Sequence, residues 1–341
     1  MYRKRDIEGI IDPLSRWTTT GIEPSRHGQD NKNAQLNILA RILTDPKDTC
    51  IALCLWEKNL LIASNQKFPR TAEKDLNNWW KFICRQIDGL ELLKITFGKS
   101  KVITGGIKKK IFLELESEDQ KTFAEFHQLL GKRLTKAEEQ RIQVLVEKLF
   151  SLSKNLRGKR NFVLANDIWE CISLIEDTNK MMEIISKGSL DQLLIDAISN
   201  NNLISLWSED DIHAEMKIID YILGTSQKKG HFYIGIGKLC CLPCQKVIDV
   251  LNEDGQYHIG VPGTHGKTYR NWNLLKIFED NSNYNSKYEK FRRELTRISK
   301  GEYSQQIRET TCHFPEKLAT FGFERSVVTQ QVKTSTSSSF F

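Results

Sequence analysis

The sequence predicts an α/β fold whose core is split by a large helical insertion, and three observations carry that prediction. Two short apolar runs, residues 50–56 and 60–64, flank the polar Glu57-Lys58-Asn59 and read as a β-hairpin. Residues 232–236, rich in β-branched and aromatic side chains, read as a further strand, and Val247, Ile248 and Leu251 follow it at helical spacing. Between these two regions, from residue 66 to residue 212, the pattern is mostly helical.

Taken in order, residues 1–33 are polar, contain Pro13, Pro24 and several glycines, and are expected to form a flexible arm. The first part of the core, 34–69, has a helix marked by Leu36, Leu39, Ala40 and Leu43, a break at Thr44-Asp45-Pro46, and then the hairpin. The insertion, 70–207, carries Leu76, Trp79, Trp80, Ile83 and Ile87 in one expected helix over 73–93, and Trp79-Trp80 reads as packing. Thr135 and Glu138 form a capping box that opens a helix to about residue 152, and 162–185 is one helix or two. A strand-like stretch at 110–115 interrupts them, and there is no internal repeat. The second part of the core, 208–330, adds a strand at 257–262, the glycine-rich loop Gly263-Thr264-His265-Gly266-Lys267 and a charged amphipathic helix over 284–298. The serine- and threonine-rich end, 331–341, is a loose tail.

A chain of 341 residues, 39% hydrophobic and 27% charged, has the composition of a soluble globular protein with one large core or two modest ones. The apolar run at 50–56 is far too short to span a membrane, and no apolar segment follows the basic start as a secretory signal would. Three of the eight cysteines crowd into positions 240–244, which argues for reduced thiols and a cytoplasmic location, in its own cell or a host's. The net charge of +7 permits an anionic partner without requiring one, and Lys108-Lys109-Lys110, Arg157-Gly158-Lys159-Arg160 and Arg292-Arg293 read as solvated surface. Nothing in the sequence identifies a protein partner.

The chemistry concentrates in His213-Ala214-Glu215, which opens one apolar helix, and Cys241-Leu242-Pro243-Cys244, which opens another. An imidazole and two thiolates form a recognised ligand set for catalytic zinc, so His213, Cys241 and Cys244 are the candidate metal ligands. Zinc-bound hydroxide would be the nucleophile, with Glu215, two residues from a ligand, as the proton shuttle. Cys241 and Cys244 fall at a strand-to-helix turn where the helix N-terminus favours thiolates and Pro243 is tolerated. On a regular helix His213 and Glu215 stand roughly 200° apart. They converge only if His213 sits at the helix mouth, with residues 208–211 as the capping stretch. His265 and Lys267 lie in a loop at the end of a strand, where an α/β sheet lines its ligand crevice, and are expected to face the substrate. The spacing Gly263-x-x-Gly266-Lys267 is not that of a phosphate-binding loop.

His213-x-Glu215 followed by Cys241-x-x-Cys244 resembles the signature of the cytidine deaminase-like superfamily, with Cys240 standing where Pro is usual. The run from Gly237 to Cys244, with Gly263 to Tyr269 and Trp272, is similar to the toxin-type deaminase branch of intracellular bacteria and fungi. The resemblance implies a three-layer α/β/α core, bound Zn²⁺, and hydrolytic removal of an exocyclic amine from a nucleobase carried by a nucleoside, a nucleotide or a nucleic acid. It also implies that Asn65, just after the second strand of the hairpin, reaches the substrate. Two rival readings stay open. One is a thioredoxin-like dithiol oxidoreductase using Cys241 and Cys244. The other is an interaction module, with an inactive deaminase fold or a structural zinc completed by Cys240.

Overall fold

The computed structural model describes residues 2–17, 25–26, 31–44, 50–65, 70–130, 134–207, 212–225 and 230–300. The capping stretch expected at 208–211 and the tail at 331–341 lie outside them. In chain order the elements are α1 (Tyr2–Trp17), β1 (Ser25–Arg26), α2 (Asn31–Leu43), β2 (Ile51–Trp56), β3 (Asn59–Ser64), α3 (Arg70–Ile83) and α4 (Gly89–Glu114). Then follow α5 (Ser117–Leu129), α6 (Lys136–Gly158), α7 (Phe162–Ser186), α8 (Gln192–Ser199), β4 (Leu203–Leu206), α9 (Ala214–Thr225) and β5 (Gly230–Ile236). The chain continues through α10 (Leu242–Asn252), β6 (Tyr257–Gly260), β7 (Gly263–Thr264), α11 (Lys276–Asp280) and α12 (Asn285–Ser299).

The central sheet has five strands in the order β4-β3-β2-β5-β6. Strand β2 runs antiparallel to both β3 and β5, while β3 pairs parallel with β4 and β5 parallel with β6. Strands separated by the insertion therefore share one sheet, as the α/β prediction requires. Strands β2 and β3 read as unbroken apolar runs because both faces are covered. Ala52, Cys54, Leu61 and Ala63 face a core shared with α9, α10, α12 and α1, and Ile51, Leu53, Leu60 and Ile62 face α2, α3, α7 and α8. This is the three-layer α/β/α arrangement. Helix α2 lies so close to β5 that a Cβ on Gly235 would stand 2.5 Å from the carbonyl carbon of Leu36.

The insertion, α3 to α8, builds a third core around Phe97, Ile111, Phe123, Phe126, Leu145 and Ile172. Helix α7 belongs to two cores at once, with Leu164, Ile168 and Ile175 in the insertion and Leu174 and Met181 against the sheet layer. A bidentate pair ties it to α2: Arg41 donates Nε and Nη2 to the Asp177 carboxylate at 2.5 and 2.6 Å.

The structure departs from the sequence expectations in four places. Residues 2–17 are not a flexible arm: Ile7, Ile11 and Leu14, at helical spacing, are buried in the main core, and α1 packs on α12. Residues 110–115 are not a strand but the end of α4, where Ile107, Ile111 and Leu115 share one helical face while Leu113 stays 87% exposed. The helix expected over 73–93 is two helices, broken after Ile83 and restarted by Asp88, whose side chain caps Glu91 N–H. Finally, β4 belongs to the core sheet although it falls inside the expected 70–207 insertion. The Thr135/Glu138 capping box is present, and Trp79 is buried against Phe82 as a packing residue.

Candidate metal centre

Helix α9 begins at Ala214, so His213 stands at its mouth and offers its carbonyl to Lys217 N–H at 3.1 Å. That placement removes the angular conflict between His213 and Glu215. The His213 ring turns toward the cysteine turn, and Glu215 enters the first helical turn with its side chain only 4% exposed. Cys241 is the N-cap of α10 and Cys244 lies in its first turn, with Pro243 between them, where its missing N–H costs nothing.

Three donor atoms converge. His213 Nδ1 is 3.4 Å from Cys241 Sγ and 3.3 Å from Cys244 Sγ, and the two sulfurs are 3.2 Å apart. A tetrahedral zinc with bonds of about 2.3 Å to sulfur and 2.0 Å to nitrogen separates nitrogen from sulfur by roughly 3.5 Å and the two sulfurs by roughly 3.8 Å. The set therefore fits a zinc ion in number and chemistry and in its nitrogen–sulfur spacing, with the sulfurs drawn closer than the bound ion would hold them. Trp272, itself buried, donates Nε1–H to Cys244 Sγ at 3.2 Å, a bond that favours the thiolate a metal needs. Burial raises the Cys241 thiol, but its hydrogen bond with Cys244 and the adjoining His213 outweigh that and bring it down to about 6. Cys244, buried and bonded to the Cys241 sulfur, is pushed well above its usual range.

Among the described residues His213, Cys241 and Cys244 form the one group of this kind, so a four-coordinate ion keeps one further position. Cys240 does not join them. Its buried thiol lies near Glu215, and burial together with that carboxylate raises it well above the ordinary thiol range. Cys50, at the start of β2, is pushed up to about 12 by burial and by the same carboxylate. Glu215 Oε1 stands 3.8 Å from His213 Nδ1, beside the ligand set but outside it.

The loop after β6 is stitched to the cysteine turn through the backbone. Cys240 N–H donates to Gly263 carbonyl at 3.0 Å, His265 N–H to Cys240 carbonyl at 3.0 Å, and Leu242 N–H to Lys267 carbonyl at 2.8 Å. A proline at position 240 lacks the first of these donors, which accounts physically for the departure there. His265 accepts Lys267 N–H on Nδ1 at 3.0 Å, and burial with the Lys267 charge lowers its pKa to about 4. Lys267 itself is exposed. Asn65 closes the open end of the hairpin, its Oδ1 accepting Cys50 N–H at 2.7 Å.

Residues 212–276 match the family model described as OTT_1508-like deaminase. This segment is deaminase-like. It spans α9, β5, α10 and β6 and holds every donor of the cluster. No curated protein and no solved structure matches the chain.

The structure also brings in residues that sequence reasoning did not assign to the site. Tyr269 is one: its ring stands edge-on to His213 with centroids 5.7 Å apart, and it is 48% exposed. Burial and the neighbouring Cys241 raise its phenol, so it remains protonated. Cys50 is another. The signal for Tyr269 lay in its place at the end of the glycine-rich loop, whereas nothing local marks Cys50. A dithiol exchange site presents an accessible sulfur, but here both thiols are buried and both touch His213.

Proposed function

We propose that the protein is a zinc-dependent hydrolytic deaminase acting on the exocyclic amine of a nucleobase. The observation that carries this reading is the convergence of His213, Cys241 and Cys244 with a buried carboxylate, Glu215, held 3.8 Å from the histidine donor yet outside the ligand set. Zinc would be held by these three residues and would supply the Lewis acidity that makes water nucleophilic near neutral pH. Glu215 accepts a proton from the attacking water and returns it to the departing amine. One water is consumed, the C–N bond breaks, and the products are the oxo base and ammonia. His265 and Lys267 border the site on the loop side, and Asn65 holds the end of the hairpin on the other.

The substrate is a nucleobase as nucleoside, nucleotide or nucleic acid. All seven cysteines among the described residues are unpaired, which suits a reducing cytoplasm, its own or a host's in the manner of a delivered toxin. No helix among the described residues is long and apolar enough to cross a membrane. The test is incubation of zinc-loaded protein with nucleosides, single-stranded DNA and RNA, followed by mass spectrometry of the products. Glu215→Gln, which keeps the ligands, is expected to retain zinc while turnover falls by about 10²- to 10⁴-fold. Deamination at the wild-type rate by that variant refutes the role of Glu215.

A further inference from the structure

The hydrogen bonds around His265 fix the direction in which a neighbouring hydroxyl points. Nδ1 of His265 accepts Lys267 N–H at 3.0 Å, so in the neutral ring the proton sits on Nε2. That nitrogen lies 3.4 Å from the Tyr269 hydroxyl oxygen, and the rings meet edge to face with centroids 5.6 Å apart. An Nε2–H directed at the phenol makes the oxygen an acceptor and turns the phenolic hydrogen away from His265. Tyr269 is meanwhile edge-on to His213, a metal-site residue, and half exposed, so its hydroxyl hydrogen is open to a ligand.

We propose that Tyr269, oriented by His265, is the residue that recognises the base, donating its phenolic hydrogen to a carbonyl oxygen or ring nitrogen beside the amine-bearing carbon. The inference rests on the deaminase reading above and gives its site a specificity element. It also reassigns His265. Both ring nitrogens are engaged, one with the Lys267 backbone and one with the phenol, so His265 is a positioning residue and not itself a substrate contact. The ligand class that follows is an aminated heterocycle with an adjacent acceptor. A site built around a hydroxyl donor discriminates against rings lacking that acceptor, because the donor is then left without a partner.

The experiment is calorimetric titration of zinc-loaded, full-length Glu215→Gln protein with cytidine, adenosine and short single-stranded DNA and RNA. It is repeated with Tyr269→Phe, with His265→Leu and with both. Tyr269→Phe removes one oxygen from an exposed rim position and should leave zinc content and melting unchanged. The expected result is about 3- to 10-fold weaker binding of the recognised probe, the size of one neutral hydrogen bond. His265→Leu should weaken it similarly, and the double variant should lose no more than the larger single loss, since the two residues act as one unit. Equal binding by parent and Tyr269→Phe overturns the inference while leaving the deaminase reading intact. Additive losses overturn the orienting role of His265. A parent that binds none of the probes overturns the deaminase reading and this inference with it.

Discussion

Replacing Trp272 with Phe isolates the contribution of one hydrogen bond to the metal centre. Trp272 is 2% exposed and donates Nε1–H to Cys244 Sγ at 3.2 Å, while its ring packs 5.6 Å from Phe291. Phenylalanine keeps an aromatic ring against Phe291 and deletes the donor. In the metal-free protein Cys244 holds its proton, because burial and the Cys241 sulfur raise it. In the metal-bound protein it is a thiolate, so the Trp272 bond is worth more in the bound state. A hydrogen bond to a charged group contributes about 1.5–3 kcal/mol and one to a neutral group about 0.5–1.5, so the difference of about 1–1.5 kcal/mol corresponds to zinc affinity about 5- to 13-fold weaker. That range overlaps the lower end of the effect of removing partners of metal ligands in general. The void left by the smaller ring lowers the stability of both forms alike and cancels from the affinity. The assay is zinc competition against a chromogenic chelator, with melting curves of the metal-free and loaded proteins run in parallel. A dissociation constant within about twofold of the parent would refute the argument, since the bond would then not distinguish thiolate from thiol.

Other outcomes follow from the same structure. Cys241→Ser and His213→Ala should abolish zinc binding, whereas Cys240→Ser should keep about one zinc per chain, as elemental analysis will show; equal loss from Cys240 and Cys241 variants contradicts the three-ligand set. Glu176 is raised from 4.5 to about 7 by burial and then by Asp177, so between those values the folded chain holds a proton that the unfolded chain has released, and stability falls as pH rises through that window. Glu176→Gln should remove that slope and be more stable by about 1–3 kcal/mol above pH 7, measured by urea unfolding from pH 4.5 to 8. Arg41→Ala leaves the Asp177 carboxylate, 2% exposed, without its bidentate partner, and should cost about 3–5 kcal/mol, whereas Arg41→Met with Asp177→Leu should cost far less; equal costs in chemical denaturation would show that the pair is not what fastens α7 to α2.

The parts of the site that were legible in the sequence are those where chemistry is written at short spacing. His213, Glu215, Cys241 and Cys244 each occupy a helix start, and helix starts are signalled locally by what precedes and follows them. The sheet was legible because strands buried on both faces must be apolar throughout, as β2 and β3 are. Helix α1 was hidden by its own polarity: three buried residues, Ile7, Ile11 and Leu14, are diluted by charged neighbours and by Pro13. The end of α4 misled for the opposite reason, because Ile111, Phe112, Leu113 and Leu115 satisfy strand composition and helical spacing together. Strand β4 is four residues long, too short for any periodicity to register. The electrostatic coupling of Cys50 to Glu215 links residues 165 positions apart in sequence, and only the packing of α9 on β2 brings them near each other.

Strand β4 runs parallel to β3 and directly beside it, so everything from residue 65 to residue 202 is one enlarged crossover connection between neighbouring strands. A connection of that kind is anchored at both ends by the same hydrogen-bonded ladder, and the cost of closing it rises only with the logarithm of its length, about 0.6 kcal/mol per doubling. The length of this region is therefore almost invisible to the half of the molecule that carries the candidate metal site. Helices of the third core could be gained or lost there over evolutionary time with the geometry of His213, Cys241 and Cys244 undisturbed, provided α3, α7 and α8 still covered their face of the sheet and Leu203 to Leu206 still returned to the edge of β3.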